Sequence, residues 1–139
     1  MNFPFVTSVY AALLALVFIA LSFWVGGGRG KYKISLGDGG NPEPLGRIRA
    51  HANFAEFVPL ILILVALLEG RRTSIYLIHG LLFALLVGRI MHPLGMTAPA
   101  GSPRQGIFRG TGAGLTMIVL LVAAVSLLVE AVMTPIGIG

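Results

Sequence analysis

The sequence predicts an all-α membrane protein, a bundle of four transmembrane helices. Three observations predict it. Hydrophobic residues make up 56% of the 139-residue chain and charged residues 11%, about half the charged share of a soluble domain. Mean hydropathy is +0.92. Four apolar stretches are separated by short polar connections, so almost nothing is left outside the bilayer. The whole chain, residues 1–139, reads as one domain.

The first span covers residues 3–25 and holds no charge. At about 1.5 Å per residue it is long enough for a hydrocarbon core of about 30 Å. It lacks a basic n-region and is too long for a signal-peptide core, so it reads as a retained helix. Residues 26–44, rich in Gly, Lys and Pro, read as a flexible connector. Gly30-Lys31 is no phosphate loop, because Val25 stands where the upstream Gly belongs and Tyr32 replaces the Ser or Thr.

The apolar part of the second span, residues 54–68, is too short to cross. Its helix must begin near Leu45, which takes Arg47, Arg49, His51, Asn53 and Glu56 into or near the membrane. Polar groups at that depth need a bundle interior or a wet cavity. Arg71-Arg72 mark a tight turn, residues 74–96 form the third span with His79, Arg89 and His92, and residues 98–105 form a loop. The fourth span, residues 107–133, opens on Gly106, Gly110 and Gly114, a spacing that suits close helix packing.

The positions of the charges matter more than the net +5. Arg29, Lys31, Lys33, Arg47, Arg49, Arg104 and Arg109 flank the first and third loops, against Arg71 and Arg72 at the second. By the positive-inside rule the first and third loops are cytoplasmic and both termini are not. The basic charge therefore suits a membrane surface, and no nucleic-acid partner is expected. With no cysteine, and with histidines that lack ligand spacing, no metal site is expected.

At 100° per residue Arg49, Asn53 and Glu56 share one helical face, and Arg47 and His51 lie on roughly the opposite one. Two polar faces call for polar neighbours on both sides, which an oligomer with this helix near its axis supplies. Glu56 and Arg89 fall at matching depth, about 12–15 Å in, so an ion pair between them is expected. Arg47, Arg49, Arg89, Arg104 and Arg109 form a ring near the cytoplasmic surface, suited to a carboxylate or phosphate. An anionic lipid head group and a small anionic metabolite both fit that chemistry.

The motif Arg49-Ala50-His51-Ala52-Asn53-Phe54-Ala55-Glu56, followed by Pro59, resembles the signature of the membrane-associated proteins in eicosanoid and glutathione metabolism, the MAPEG family. Gly88-Arg89-Ile90-Met91-His92 is similar to that family's third-helix motif, and Phe108-Arg109-Gly110 stands where the family places a functional arginine. The short chain resembles the bacterial branch. The resemblance implies a homotrimer in the bacterial inner (plasma) membrane, with glutathione as co-substrate bound between subunits near the cytoplasmic surface. It implies that Arg49, Asn53 and Glu56 hold glutathione, that Arg89 and His92 support it, and that Arg109 is catalytic and stabilises the thiolate. Arg47 and His51 are left as structural polar residues. An apolar small-molecule co-substrate would enter from the lipid. Gly110, Ala113 and Met96 replace the Ser, Tyr and Tyr of some eicosanoid-forming members. The implied chemistry is therefore thiol conjugation or hydroperoxide reduction. The competing expectation is a non-catalytic member of the fold that binds lipid or a small anion.

Overall fold

The computed structural model describes residues 3–133, and these form four helices. They are α1 (Phe5–Tyr32), α2 (Pro42–Gly70), α3 (Ile75–Met96) and α4 (Pro103–Met133). All four are long and apolar enough to cross a membrane. The shortest has 22 residues, about 33 Å at a rise of 1.5 Å per residue. Residues 1–2 and 134–139, on which the expected placement of the termini falls, lie outside the described residues.

α3 packs most closely on α4, α1 lies against α2 and α3, and α1 does not meet α4. The core is a continuous apolar seam that includes Leu14, Phe54, Ile61, Val65, Leu82, Leu85 and Val119. Phe23, Leu16, Leu121 and Leu128 point outward. In a hydrocarbon solvent such exposure carries no hydrophobic penalty, so helix contacts rest on fit and polar bonds.

α1 runs seven residues past its expected end at Val25, through Gly26, Gly27 and Gly28 to Tyr32. The expected flexible connector therefore begins later than its composition suggests. The cause is polar packing from α2. Arg47 donates to the Trp24 carbonyl at 2.9 Å and to Glu43 at 2.6 Å, and Tyr32 donates to Glu43 as well. Gly28 lies so near Arg47 that an added Cβ would stand 2.9 Å from its Cδ. The helix ends at Lys33, whose φ of 55° is left-handed.

α2 begins at Pro42, where Asn41 accepts from the Glu43 N–H at 3.0 Å, as an N-cap should. At the far end of the bundle Glu69 caps a different helix. Its carboxylate accepts from the Val6 and Thr7 backbone N–H groups at 2.8 Å each and from the Thr7 hydroxyl at 2.7 Å. The N-cap residue of α1, Pro4, makes no side-chain cap bond. Beside this, Arg71 pairs with Glu130 at 3.4 Å, and Thr73 donates to the same carboxylate. These contacts tie α1 to α2, and the α2–α3 turn to α4.

Two packing expectations are corrected. The second polar face of α2 does not await another subunit, because α1 supplies its partners. Besides the Arg47 bonds, His51 stacks on Phe18 with ring centroids 4.5 Å apart and bonds Ser22 at 3.0 Å. Likewise Gly106, Gly110 and Gly114 are not the close-packing glycines within the bundle, since an added Cβ at any of them would meet nothing within 4 Å among the described residues. The close approach uses Gly88, Gly95 and Gly112. Gly112 is two residues, or about 200°, round the helix from Gly110, so it faces α3 while the expected stripe faces away.

Candidate functional site

A polar layer near the loop-one and loop-three end joins α2, α3 and α4. Arg49 and Asn53 from α2, His92 and Met96 from α3, and Arg109 and Ala113 from α4 line one cavity of about 200 Å³. Four residues expected to form a site are thus brought together: Arg49, Asn53, His92 and Arg109. Helical spacing explains the choice. Arg49–Asn53, His92–Met96 and Arg109–Ala113 are each four apart, so each helix offers one face at the level of the cavity.

Arg89 underlies this layer. It is only 1% exposed. Its Nη1 donates to the Asn53 side-chain oxygen at 2.7 Å. Its Nη2 donates to the Gly112 carbonyl at 3.0 Å and to the Thr116 hydroxyl, and Thr116 in turn donates to the Gly112 carbonyl at 2.9 Å. With its oxygen committed to Arg89, Asn53 has its amide N–H pair left to offer. Arg89 Nε and His92 Nδ1 are buried without a hydrogen-bond partner among the described residues.

The expected Glu56–Arg89 ion pair is not formed. Glu56 stands 3.9 Å from Arg49, with both side chains about half exposed. Depth alone put Glu56 opposite Arg89. The rotation of α2 puts Asn53 there instead and leaves Glu56 on the open face beyond the cavity. The expected ring of five arginines is also broken. Arg47 turns to α1, and Arg104 lies over the Phe108 ring at 6.0 Å. Arg49 and Arg109 remain as the arginines that line the cavity, with Arg89 bonded behind Asn53.

A second cavity of about 500 Å³ adjoins the first through shared walls at Arg49 and Met96, and reaches the α3–α4 loop at Thr97 and Pro99 and the first turn of α4 at Gln105. The inner cavity alone is smaller than the roughly 300–1,000 Å³ usual for a ligand pocket. The two together fall inside that range. In the inner cavity the Arg49 and Arg109 guanidinium groups stand with Asn53 and His92, a set that suits a carboxylate, while the larger cavity is lined mainly by apolar side chains together with Glu43, Arg49, Thr97 and Gln105.

The α3–α4 crossing holds the cavity from behind. A Cβ added to Gly95 would fall onto the backbone N of Arg109 and lie 2.8 Å from its Cβ. One added to Gly112 would lie 2.8 Å from the His92 Cβ and from the Gly88 carbonyl. Gly95, Gly112 and Thr116 went unmarked in the sequence. The last two had a signal, since Arg109, Gly112 and Thr116 are i, i+3 and i+7 on α4 and share a face.

One stretch of α2 has no cover among the described helices. Arg49, Glu56, Leu60, Ile63 and Leu67 lie outward along it.

Comparison with known proteins places these features. The model of the MAPEG family matches residues 7–129. Two relatives, both named inner membrane protein YecN, come from Escherichia coli strain K12 and from strain O6:H1. Each is 32% identical over 115 residues, which is 83% of this chain and 88% of the relative.

Proposed function

The chain belongs to the MAPEG family of membrane proteins, and from that premise we propose that it is a glutathione-dependent transferase or peroxidase acting on apolar electrophiles or hydroperoxides. The observation that carries the proposal is the single cavity in which Arg49, Asn53, His92 and Arg109 meet. Glutathione has two carboxylates for the guanidinium groups and peptide carbonyls for the Asn53 amide, and its thiol would lie toward Arg109. Glu56 acts through Arg49, which it holds from the open side.

In this reading Arg109 does the electrostatic work. A thiol of ordinary pKa, about 8.5, is mostly protonated at neutral pH, and the thiolate is the nucleophile. An opposite charge within about 4–6 Å in a partly desolvated site lowers such a pKa by about 1–3 units. Arg109 also sits in the early turns of α4, where the positive end of the helix favours an anion. In conjugation the sulfur lone pair forms a bond to the electrophilic carbon and the leaving group departs with its electron pair. In hydroperoxide reduction the sulfur attacks the O–O bond. This releases an alcohol and leaves a sulfenic acid, which a second glutathione converts to disulfide and water. The apolar substrate reaches the sulfur from the lipid. The site faces the cytoplasm, both termini lie on the other side, and the membrane is a bacterial inner membrane.

The test is thiolate absorbance of the detergent-solubilised protein saturated with glutathione, followed across pH. The expected result is a thiol pKa well below the free value in the wild type. Arg109→Ala should still bind glutathione with the pKa returned toward about 8.5. A wild type that binds no glutathione would favour the non-catalytic reading, a lipid- or anion-binding member of the family. An equal shift in Arg109→Ala would take Arg109 out of the mechanism.

A further inference from the structure

The two polar side chains that line the cavity from α3 and α4 each stand on a glycine of the opposite helix. Arg109 of α4 is backed by Gly95 of α3, and His92 of α3 is backed by Gly112 of α4. The contact is to backbone and Cβ, not to the tip of a flexible side chain. A methyl group at either place cannot be accommodated by a rotamer change, so the helices themselves must shift. The same carbonyl that caps this arrangement, that of Gly112, accepts from Arg89, and Arg89 in turn holds Asn53. The crossing therefore fixes His92 and Arg109 relative to the α2 side of the cavity.

We infer that Gly95 and Gly112 are positioning residues, which set where Arg109 and His92 stand in the cavity. The inference deepens the proposed function and rests on it for its kinetic consequence, but the placement itself is independent of any ligand. Alanine is the better helix former, so alanine at 95 would favour α3 locally while moving Arg109. The open glycine Gly80, on the same helix, meets nothing within 4 Å of an added Cβ, so alanine there moves nothing.

The chain has no cysteine, which permits a direct test of placement. Cysteines are introduced at Arg49 and Arg109, which line the same cavity, so that the Arg89–Asn53 bond stays intact, and bridging by dibromobimane is measured in the full chain in detergent. The glycine background should bridge, Gly95→Ala should lose most of the bridge, and Gly80→Ala should keep it. In the otherwise native chain Gly95→Ala should lower kcat for glutathione conjugation of a chlorodinitrobenzene by about 10–100-fold, the cost of a displacement near 1 Å, with KM for glutathione little changed. Bridging unaltered by Gly95→Ala, or absent in the glycine background, overturns the inference. An inactive wild type whose bridge still responds to Gly95→Ala removes the proposed function and leaves the placement standing. If Gly95→Ala does not fold, Gly112→Ala is read the same way with cysteines at Arg49 and His92. If neither variant folds, the glycines serve the bundle and not the site, and the inference fails.

Discussion

Arg89 carries its charge at 1% exposure among neutral partners, Asn53, Gly112 and Thr116. Such a group is costly in a membrane protein unless its donors are occupied. Asn53→Ala should therefore do more than thin the cavity. It strands Nη1, and an unsatisfied buried donor costs about 1–3 kcal/mol, more when charged. Thermal unfolding in one detergent should show a clear drop in Tm, whereas Ala113→Gly, on the same cavity wall, should show a smaller one. An unchanged Tm for Asn53→Ala would mean that another group takes over Arg89. Arg49 and Glu56 separate in the same way. Arg49 lines both cavities, and Glu56 lines neither. Loss of a hydrogen bond to a charged group costs about 1.5–3 kcal/mol, so Arg49→Ala should weaken glutathione binding by more than tenfold. Glu56→Gln should weaken it much less. Calorimetric titration decides this, and equal losses would return Glu56 to the binding face. The motif letters marked Arg49, Asn53, His92 and Arg109, and these four line one cavity. Sequence could not say which polar group takes Arg89, because depth along a helix is legible from spacing while rotation about its axis depends on neighbours.

At the level of the elements, hydropathy read the four helices and composition misread one end. Three glycines in a row look like a connector, yet α1 continues through them because Glu43 and Arg47 of α2 supply the polar contacts its last turns need. The signal was tertiary, a carboxylate and a guanidinium one turn apart on another helix, and no local propensity carries it. The reverse holds at the start of α1. Pro4 makes no side-chain cap bond, and the cap comes from Glu69, more than sixty residues away. Capping side chains are worth about 0.5–2 kcal/mol. Glu69→Ala should accordingly leave the polar cavity intact while the amides of Val6 and Thr7 exchange faster with deuterated water. Protection unchanged at those amides would show that the cap carries no weight in detergent. The glycine repeat of α4 makes the same point about faces. Its spacing was visible, but the partner face belongs to Gly112, and the repeat itself stays uncovered within the single chain.

For the whole molecule, the open side of α2 poses the question that one bundle does not answer. Arg49 and Glu56 lie about half exposed, and Leu60, Ile63 and Leu67 continue the same outward line. The apolar part would be content against lipid. The charged part would not, since an ionisable side chain at membrane depth costs about 2.5–3.5 kcal/mol even by the mildest scale. Copies arranged around a common axis, each with this α2 face turned inward, cover both parts at once, and in such a closed ring the same residues of every copy approach one another at the axis. We propose three copies, the number that the family resemblance implies. Native mass spectrometry in mild detergent should then show a trimer as the dominant species. A dominant monomer or dimer would remove the intersubunit setting of the site, though not the cavity within each subunit. Ile63→Lys sharpens the test. Ile63 is 58% exposed in the single chain and makes no part of either polar cavity. A lysine there points away from both cavities of an isolated bundle, but in a trimer it brings three like charges together near the axis. The expected outcome is a helical protein of unchanged circular dichroism that has dissociated to monomers and binds glutathione more weakly. A trimer that survives Ile63→Lys would mean that some other face, the uncovered glycine side of α4 being the next in line, holds the subunits together.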